Sequence, residues 1–409
     1  MEAIFPRCAG LDVHKETVEA TSRIWEGRRV EQQTRRWGTM TRELLQMADW
    51  MAAQGVTHVA MESTGVFWKP IYNILESRFT VILVNARHLK QVPGRKSDVR
   101  DSQWIAQLLQ HGLLRASFIP PRPQRELRDL TRHRTQLVAE QTRVANRLHK
   151  VLEDANIKLG WVASDILGVS GRAMIRALME GEQDAAPLAD RAQKQLRGKI
   201  PELERALEGR VTDHHRFMLR LLWKELASLE ELIAELEGKI EQMTRPFTPC
   251  IQRLDPVPGV DRRIAEVVLA EVGADVHAFP SHQHLASWAG MCPGNEESAG
   301  KRKRSRTTKG NRWLRQALVQ AAWAASHSKS SYLAAQFRRL AGRRGKKRAL
   351  IAVGHSILVT VYHLLKYRTT YSDLGSDFFD RLHHDRLTRY HVKRLESLGH
   401  KVALEPVAA

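Results

Sequence analysis

The sequence predicts an α/β unit followed by a mainly helical remainder. Three observations carry this. Short β-branched runs crowd the N-terminal quarter, a proline-rich break (PPRPQ) stands at 120–124, and beyond it apolar residues recur at three- and four-residue steps. Within residues 7–118, the runs Ala9–Val13, Val18–Ile24 and Val30–Thr34 read as a three-stranded antiparallel meander. A helix follows over Thr41–Ala53, with Leu44, Leu45, Ala48 and Met51 on one face. A strand (Val56–Met61), a helix (Val66–Leu75), a strand (Phe79–Val84) and a helix from about Ser97 to His111 complete the unit. Three antiparallel strands and then β-α-β-α is the order of a ribonuclease-H-like fold, and its crossover strands should pair in parallel.

Beyond the break, Leu127, Leu130, Leu137, Val144, Leu148 and Val151 fit a heptad, with Arg134 and Gln141 at skipped positions. A cleaner series runs Leu219, Leu222, Leu226, Leu229, Ile233, Leu236, Ile240 and Met243. Long helices pairing lengthwise, as a coiled coil, are expected over 120–248, either within one chain or between two copies. Residues 158–215 between them read as helical. A third region, 249–409, opens with DPVPGVDRRIAEVVLAEVG, which resembles a helix-hairpin-helix whose helix N-terminus can hold a phosphate.

Composition restricts the partners. Lys and Arg outnumber Asp and Glu by 65 to 45, a formal charge of +20 with pI near 10.2. Such an excess points to a polyanion, with nucleic acid the commonest. No apolar run approaches the roughly 18 residues of a membrane span, and no signal peptide is visible, so a cytoplasmic protein is expected. Cys8, Cys250 and Cys292 are too few and too scattered for a disulfide or zinc framework. Buried, reduced thiols are the reading they suit.

Four acids stand out against this basic background: Asp12 in GLDVHK, Glu62 in MESTG, and Asp98 with Asp101 in KSDVRDS. In a strand, Asp12 and His14 share a face. Glu62 should end the strand beside the first, and Asp98 and Asp101 share one helix face. Three elements thus converge four carboxylates, which would repel one another unless a proton or cation intervenes. Two Mg²⁺ ions, about 3.5–4 Å apart, would offset that cost and clamp a phosphoryl transfer. Taken singly, an acid in such a place is usually a cap or a solvated face, Asp98 being placed to cap a helix.

The third region carries the cations. Lys301, Arg302, Lys303, Arg304 and Arg306, then Lys309, Arg312 and Arg315, give eight basic residues and no acid over 301–315. The stretch 338–348 adds seven, among them Arg343, Arg344, Lys346, Lys347 and Arg348. Contacts of this kind give affinity and salt dependence, not base choice, and no base-reading helix is evident. Ser298 precedes the first run in EESAGK, where neighbouring cations could offset the charge of a phosphate at its hydroxyl; a local turn bond is the plainer account.

GLDVHK, MESTG, KSDVRDS and the later PVPGV, WAGMCP, SAGK and TKGNRWLRQALVQAA together resemble the DEDD-class transposases of insertion-sequence family one-hundred-and-ten, over most of the chain and in motif order. The resemblance implies a RuvC-like metal-binding domain over 1–119, a helical coiled-coil region over 120–248 and a C-terminal transposase domain over 249–409. It implies that Asp12, Glu62, Asp98 and Asp101 bind Mg²⁺ and that Ser298 is a nucleophile, although the family's Ser-Gly-Gly-Lys reads Ser-Ala-Gly-Lys here. It further implies a structured guide RNA pairing with donor and target DNA, and a homo-oligomer, dimer or tetramer, that shares its sites between subunits. The expected function is therefore that of a recombinase that moves its own element. Two other readings remain open. One is a RuvC-like endonuclease, such as a junction resolvase, using water as nucleophile; the other is a non-catalytic nucleic-acid-binding protein.

Overall fold

The computed structural model describes residues 3–27, 29–63, 65–85, 89, 101–294, 296–298, 301–304 and 307–405, of which 296–298 and 301–304 are described by their backbone. The chain forms two compact units, Met1–Pro120 and Pro121–Ala409.

The first unit is a five-stranded sheet in the order β3-β2-β1-β4-β5. Strands β1 (Arg7–Val13), β2 (Thr17–Glu26) and β3 (Arg29–Gly38) form the antiparallel meander. After helix α1 (Thr41–Ala53), strand β4 (His58–Glu62) returns parallel to β1. Helix α2 (Trp68–Leu75) then leads to β5 (Thr80–Val84), parallel to β4. This is the strand arrangement expected of the element order. Helix α3 is described over Asp101–Gln110.

Side-chain alternation divides the sheet into two faces. Ala9, Leu11, Val13, Val59 and Met61 join Leu44, Met47, Ala48 and Met51 of α1 in one core. Leu45, expected on that face, is 41% exposed, and Met47 fills the place, because buried positions follow three-, one- and three-residue steps from Leu44. On the opposite face, Cys8 and Ala60 pack against Ile105 and Leu109 of α3. Gly10 permits this approach: a Cβ there would lie 2.3 Å from Ala106 N and from Ser102 O. Burial of Cys8 pushes its thiol up to about 12, so it stays protonated. Cys250 and Cys292 are only half-buried, and all three cysteines are free.

The second unit holds both the 120–248 and the 249–409 stretches. Pro121 precedes helix α4 (Arg122–Asp154), and Pro123 sits in its first turn, where a missing N–H leaves no bond unmade. Helices α5 (Val169–Glu180) and α6 (Ile200–Leu207) lie in the expected helical segment, and α7 (Asp213–Thr244) follows. Helices α4 and α7 pack lengthwise within the chain and run antiparallel. Asp154 meets His215, Arg147 meets Glu225, and Leu127 packs on Ile240. Leu152 rather than Val151 is buried at the last heptad step, where the helix turns toward Ile157 and α6.

Helices α8 (Thr248–Leu254), α9 (Arg262–Val272) and α10 (His282–Trp288) precede a hairpin of β6 (Glu296–Ser298) and β7 (Lys301–Arg304). Helices α11 (Arg312–Ser326), α12 (Tyr332–Arg344) and α13 (Lys346–Tyr367) follow, and then α14 (Phe378–Leu382) and α15 (His384–Ser397). Contrary to the sequence reading, α13 is long and apolar enough to span a membrane by length and composition. Half of it is buried, and a Cβ added at Gly354 would lie 3.2 Å from Leu318 O of α11, so it packs closely as a core helix of this region.

Candidate active site and basic surfaces

Three of the four predicted acids fall on the α3 face of the sheet. Asp12 shares the alternation of Cys8 and Gly10. Leu11 and Met61 are the last described partners of the parallel pair, so Asp12 and Glu62 are the next residues on each strand, facing away from the core that Leu11 and Met61 fill. Asp101 begins α3, whose first turn is fixed to the meander: Ser102 Oγ donates to Glu19 Oε1 at 2.7 Å and lies 2.9 Å from Thr21 Oγ1. Asp98 lies outside the described residues.

The local electrostatics follow from this crowding. The Asp12 carboxyl is held above its ordinary value, first by burial; Asp101 and Glu19 push in the same direction, while His14, whose Nε2 is 3.1 Å from Asp12 Oδ2, opposes them. Glu19 is the direct cross-strand partner of Asp12 and was not among the predicted acids. The signal was available, because a short β1–β2 connection fixes which residues face each other across the hairpin. Among the described residues, no three His, Cys, Asp or Glu side chains are already close enough to hold one ion. The donor chemistry suits Mg²⁺ nonetheless, since hard oxygen ligands from separate elements face one another at the end of a parallel strand pair.

Ser298 belongs to the second unit, as the last residue of β6, with Lys301 as its partner across the hairpin. The basic residues divide by environment. Lys301, Arg302, Lys303 and Arg304 form β7; Arg306 lies outside the described residues. Lys309 and Arg312 are exposed, the latter over the Trp313 ring at 4.4 Å. Arg315 is half-buried and donates to Thr308 O at 2.5 Å, so it braces the loop before α11. Arg343 and Arg344 end α12, and Lys346, Lys347 and Arg348 open α13, all exposed. Three cations at a helix N-terminus add to the positive end of its dipole, an arrangement that an external anion relieves.

Sequence reasoning missed the framework under the hairpin. Glu271, fully buried, accepts from Arg132 Nε at 2.7 Å and from Asn311 Nδ2 at 2.6 Å, and Arg128 Nε lies 3.3 Å away. Asn311 Oδ1 also caps α11, accepting from Trp313 N and Leu314 N. At the PVPGV turn, Gly259 takes φ +83°, and a Cβ would come within 2.1 Å of Ala321 O. The N-terminus of α9 that was expected to hold a phosphate carries the chain's own carboxylate, Asp261 Oδ1 accepting from Ile264 N at 2.8 Å.

Residues 9–157 match the DEDD transposase model of IS110 elements, and residues 251–338 match the model described as transposase, IS116/IS110/IS902 family. The chain belongs to the IS110 family of transposases. It is 25% identical over 303 residues to the insertion element IS110 uncharacterized 43.6 kDa protein of Streptomyces coelicolor, across 68% of this chain and 73% of that one. The matched segments carry the acids of the first unit and the serine hairpin of the second. As a transposase, the chain is a DNA recombination enzyme, and DNA is its partner.

Proposed function

We propose that this transposase cuts and rejoins donor and target DNA through a covalent serine link. Ser298 Oγ would attack a phosphodiester phosphorus and lose its proton. The bond from phosphorus to one sugar oxygen would break, and that oxygen would leave as a hydroxyl after protonation. The displaced strand is exchanged by the reverse step, so the phosphodiester energy is conserved and no nucleotide cofactor is needed. Asp12, Glu62, Asp98 and Asp101 would hold the two Mg²⁺ ions, which when bound supply charge for the phosphate and the leaving oxygen. Cations of the hairpin and of the α12–α13 turn hold the backbone without reading bases. Base choice then falls to a guide RNA, and a homo-oligomer would assemble acids and serine from different subunits.

The observation that carries this reading is the gathering of Asp12, Glu62 and Asp101 from three elements onto one sheet face in a chain of charge +20. A protein that only bound nucleic acid would gain nothing from acids facing phosphate. Recombination in cells carrying donor and target plasmids tests it: Ser298→Ala and Asp12→Ala should each abolish product. Wild-type recombination by the Ser298 variant would exclude the serine role. Denaturing gels separate the water-nucleophile reading, which leaves free 5′-phosphate ends and no protein–DNA adduct. A structured noncoding segment beside the gene, with stretches matching the element's junctions, is the expected mark of RNA guidance.

A further inference from the structure

The C-terminal helices build a second basic surface, which begins inside the matched segment 251–338, at Ala335 and Arg338, and runs beyond it. The stretch after α13 folds back onto α12. Asp373 Oδ1 accepts from Tyr332 N at 2.9 Å, and the Tyr332 ring stacks on Phe379 with centroids 5.2 Å apart. The Arg339 guanidinium lies over the same ring, 4.8 Å from the Phe379 centroid. These contacts seat α14 and bring α15 alongside α12. Between the two helices lies a groove of about 460 Å³.

The lining of the groove is chemically one-sided. Arg338 and Arg343 enter from α12, and Arg386 with Tyr390 from α15, the latter pair four residues apart on one helix face. All four are exposed, Tyr390 by 62%. Asp380 is the one acid among the lining residues, and it stands against four arginines. Arg338, Arg343 and Arg386 have no ion pair among the described residues. Like charges facing one another across a groove raise its energy unless an anion enters. An exposed phenol beside them gains nothing from the outer phosphates of a duplex, whose bases are stacked inward. It gains a stacking partner from an unpaired base.

We propose that the α12–α15 groove binds a single-stranded polynucleotide, its phosphates on Arg338, Arg343 and Arg386 and a base on Tyr390. This rests on the reading of the chain as a nucleic-acid-handling enzyme, but assigns a site apart from the acids and the serine hairpin. The phosphodiester chemistry is common to single-stranded DNA and RNA, so both are assayed.

The test measures binding by the full chain to labelled oligothymidylate, to oligouridylate and to a duplex of equal length, across a salt series. The triple variant Arg338→Ala, Arg343→Ala, Arg386→Ala should weaken single-strand binding at least tenfold. Its salt slope should be shallower by about 2, at roughly 0.7 for each phosphate no longer held. Tyr390→Ala should lose about tenfold in single-strand affinity, with Tyr390→Phe retaining it, because the ring and not the hydroxyl stacks. A larger loss on the uridylate assigns RNA, a larger loss on the thymidylate assigns DNA, and equal losses assign both. Unchanged single-strand binding in these variants with duplex binding intact would overturn the groove alone. A loss confined to duplex would also overturn it. A wild-type chain that binds none of the three would overturn the functional reading beneath it.

Discussion

Arg134 and Glu266 form a buried ion pair at 2.6 Å, their side chains 5% and 4% exposed. Arg134 occupies a skipped position in the α4 heptad; what looks like a flaw in the pattern is the point where α9 is joined to α4. Glu266→Gln should destabilise the second unit by about 3–5 kcal/mol, because the Arg134 charge is left buried without its carboxylate; Arg134→Met should cost less, because Glu266 keeps Arg262 Nε at 3.1 Å. The double replacement should recover most of that loss, and denaturant unfolding measures both. Asp12 works in the opposite direction. Its folded-state pKa is raised above the ordinary 3.8, so the fold favours the proton and the ionised carboxylate costs stability. That cost is absent below about 3.8, grows as pH rises toward the folded value and is constant above it. Asp12→Asn should therefore raise the melting temperature at neutral pH, lose that advantage in acid and abolish recombination.

At the scale of elements, the sheet was legible because its strands alternate and its breaks are polar. Asp12 and Glu62 were legible for the same reason, each falling where strand alternation sends it to one face. Glu19 could be read once the β1–β2 register was fixed, but the position of α3 could not. That position depends on Gly10, whose missing side chain leaves room for a helix backbone, and no periodicity announces such an approach. Gly10→Ala should cost about 1–3 kcal/mol by forcing α3 outward. Recombination should fall with it although no acid is altered, because Asp101 moves with its helix; activity and thermal melts on one preparation check this. The α12–α15 groove was equally hidden, since residues 371–382 return to α12 through aromatic contacts without sequence periodicity. Heptads gave the two long helices but not their partner, because lengthwise packing looks the same within a chain and between chains.

Across the whole molecule, the acids lie in Met1–Pro120 and Ser298 in Pro121–Ala409, each unit with its own core. If subunits share sites, an Asp12→Ala chain supplies the serine and a Ser298→Ala chain supplies the acids. Co-expression of the two should restore part of the recombination that neither supports alone. Failure of the mixture, with both variants folded, would place acids and serine of one chain in the same site. The formal charge of +20 adds a general expectation, that association with DNA weakens steeply as salt rises.

The buried Glu271 has a mechanical consequence. Arg128 of α4 lies near this carboxylate and over the Trp288 ring, while Arg132 bonds to it and lies over Trp313. Asn311 N donates to Trp288 O at 3.2 Å, which ties together the two roots of the hairpin. Glu271 thus links α4 to Asn311, at the root of the hairpin, through directly bonded side chains. The carboxylate is one joint shared by the long helix and the root of the hairpin, so Glu271→Gln should loosen both together rather than either alone.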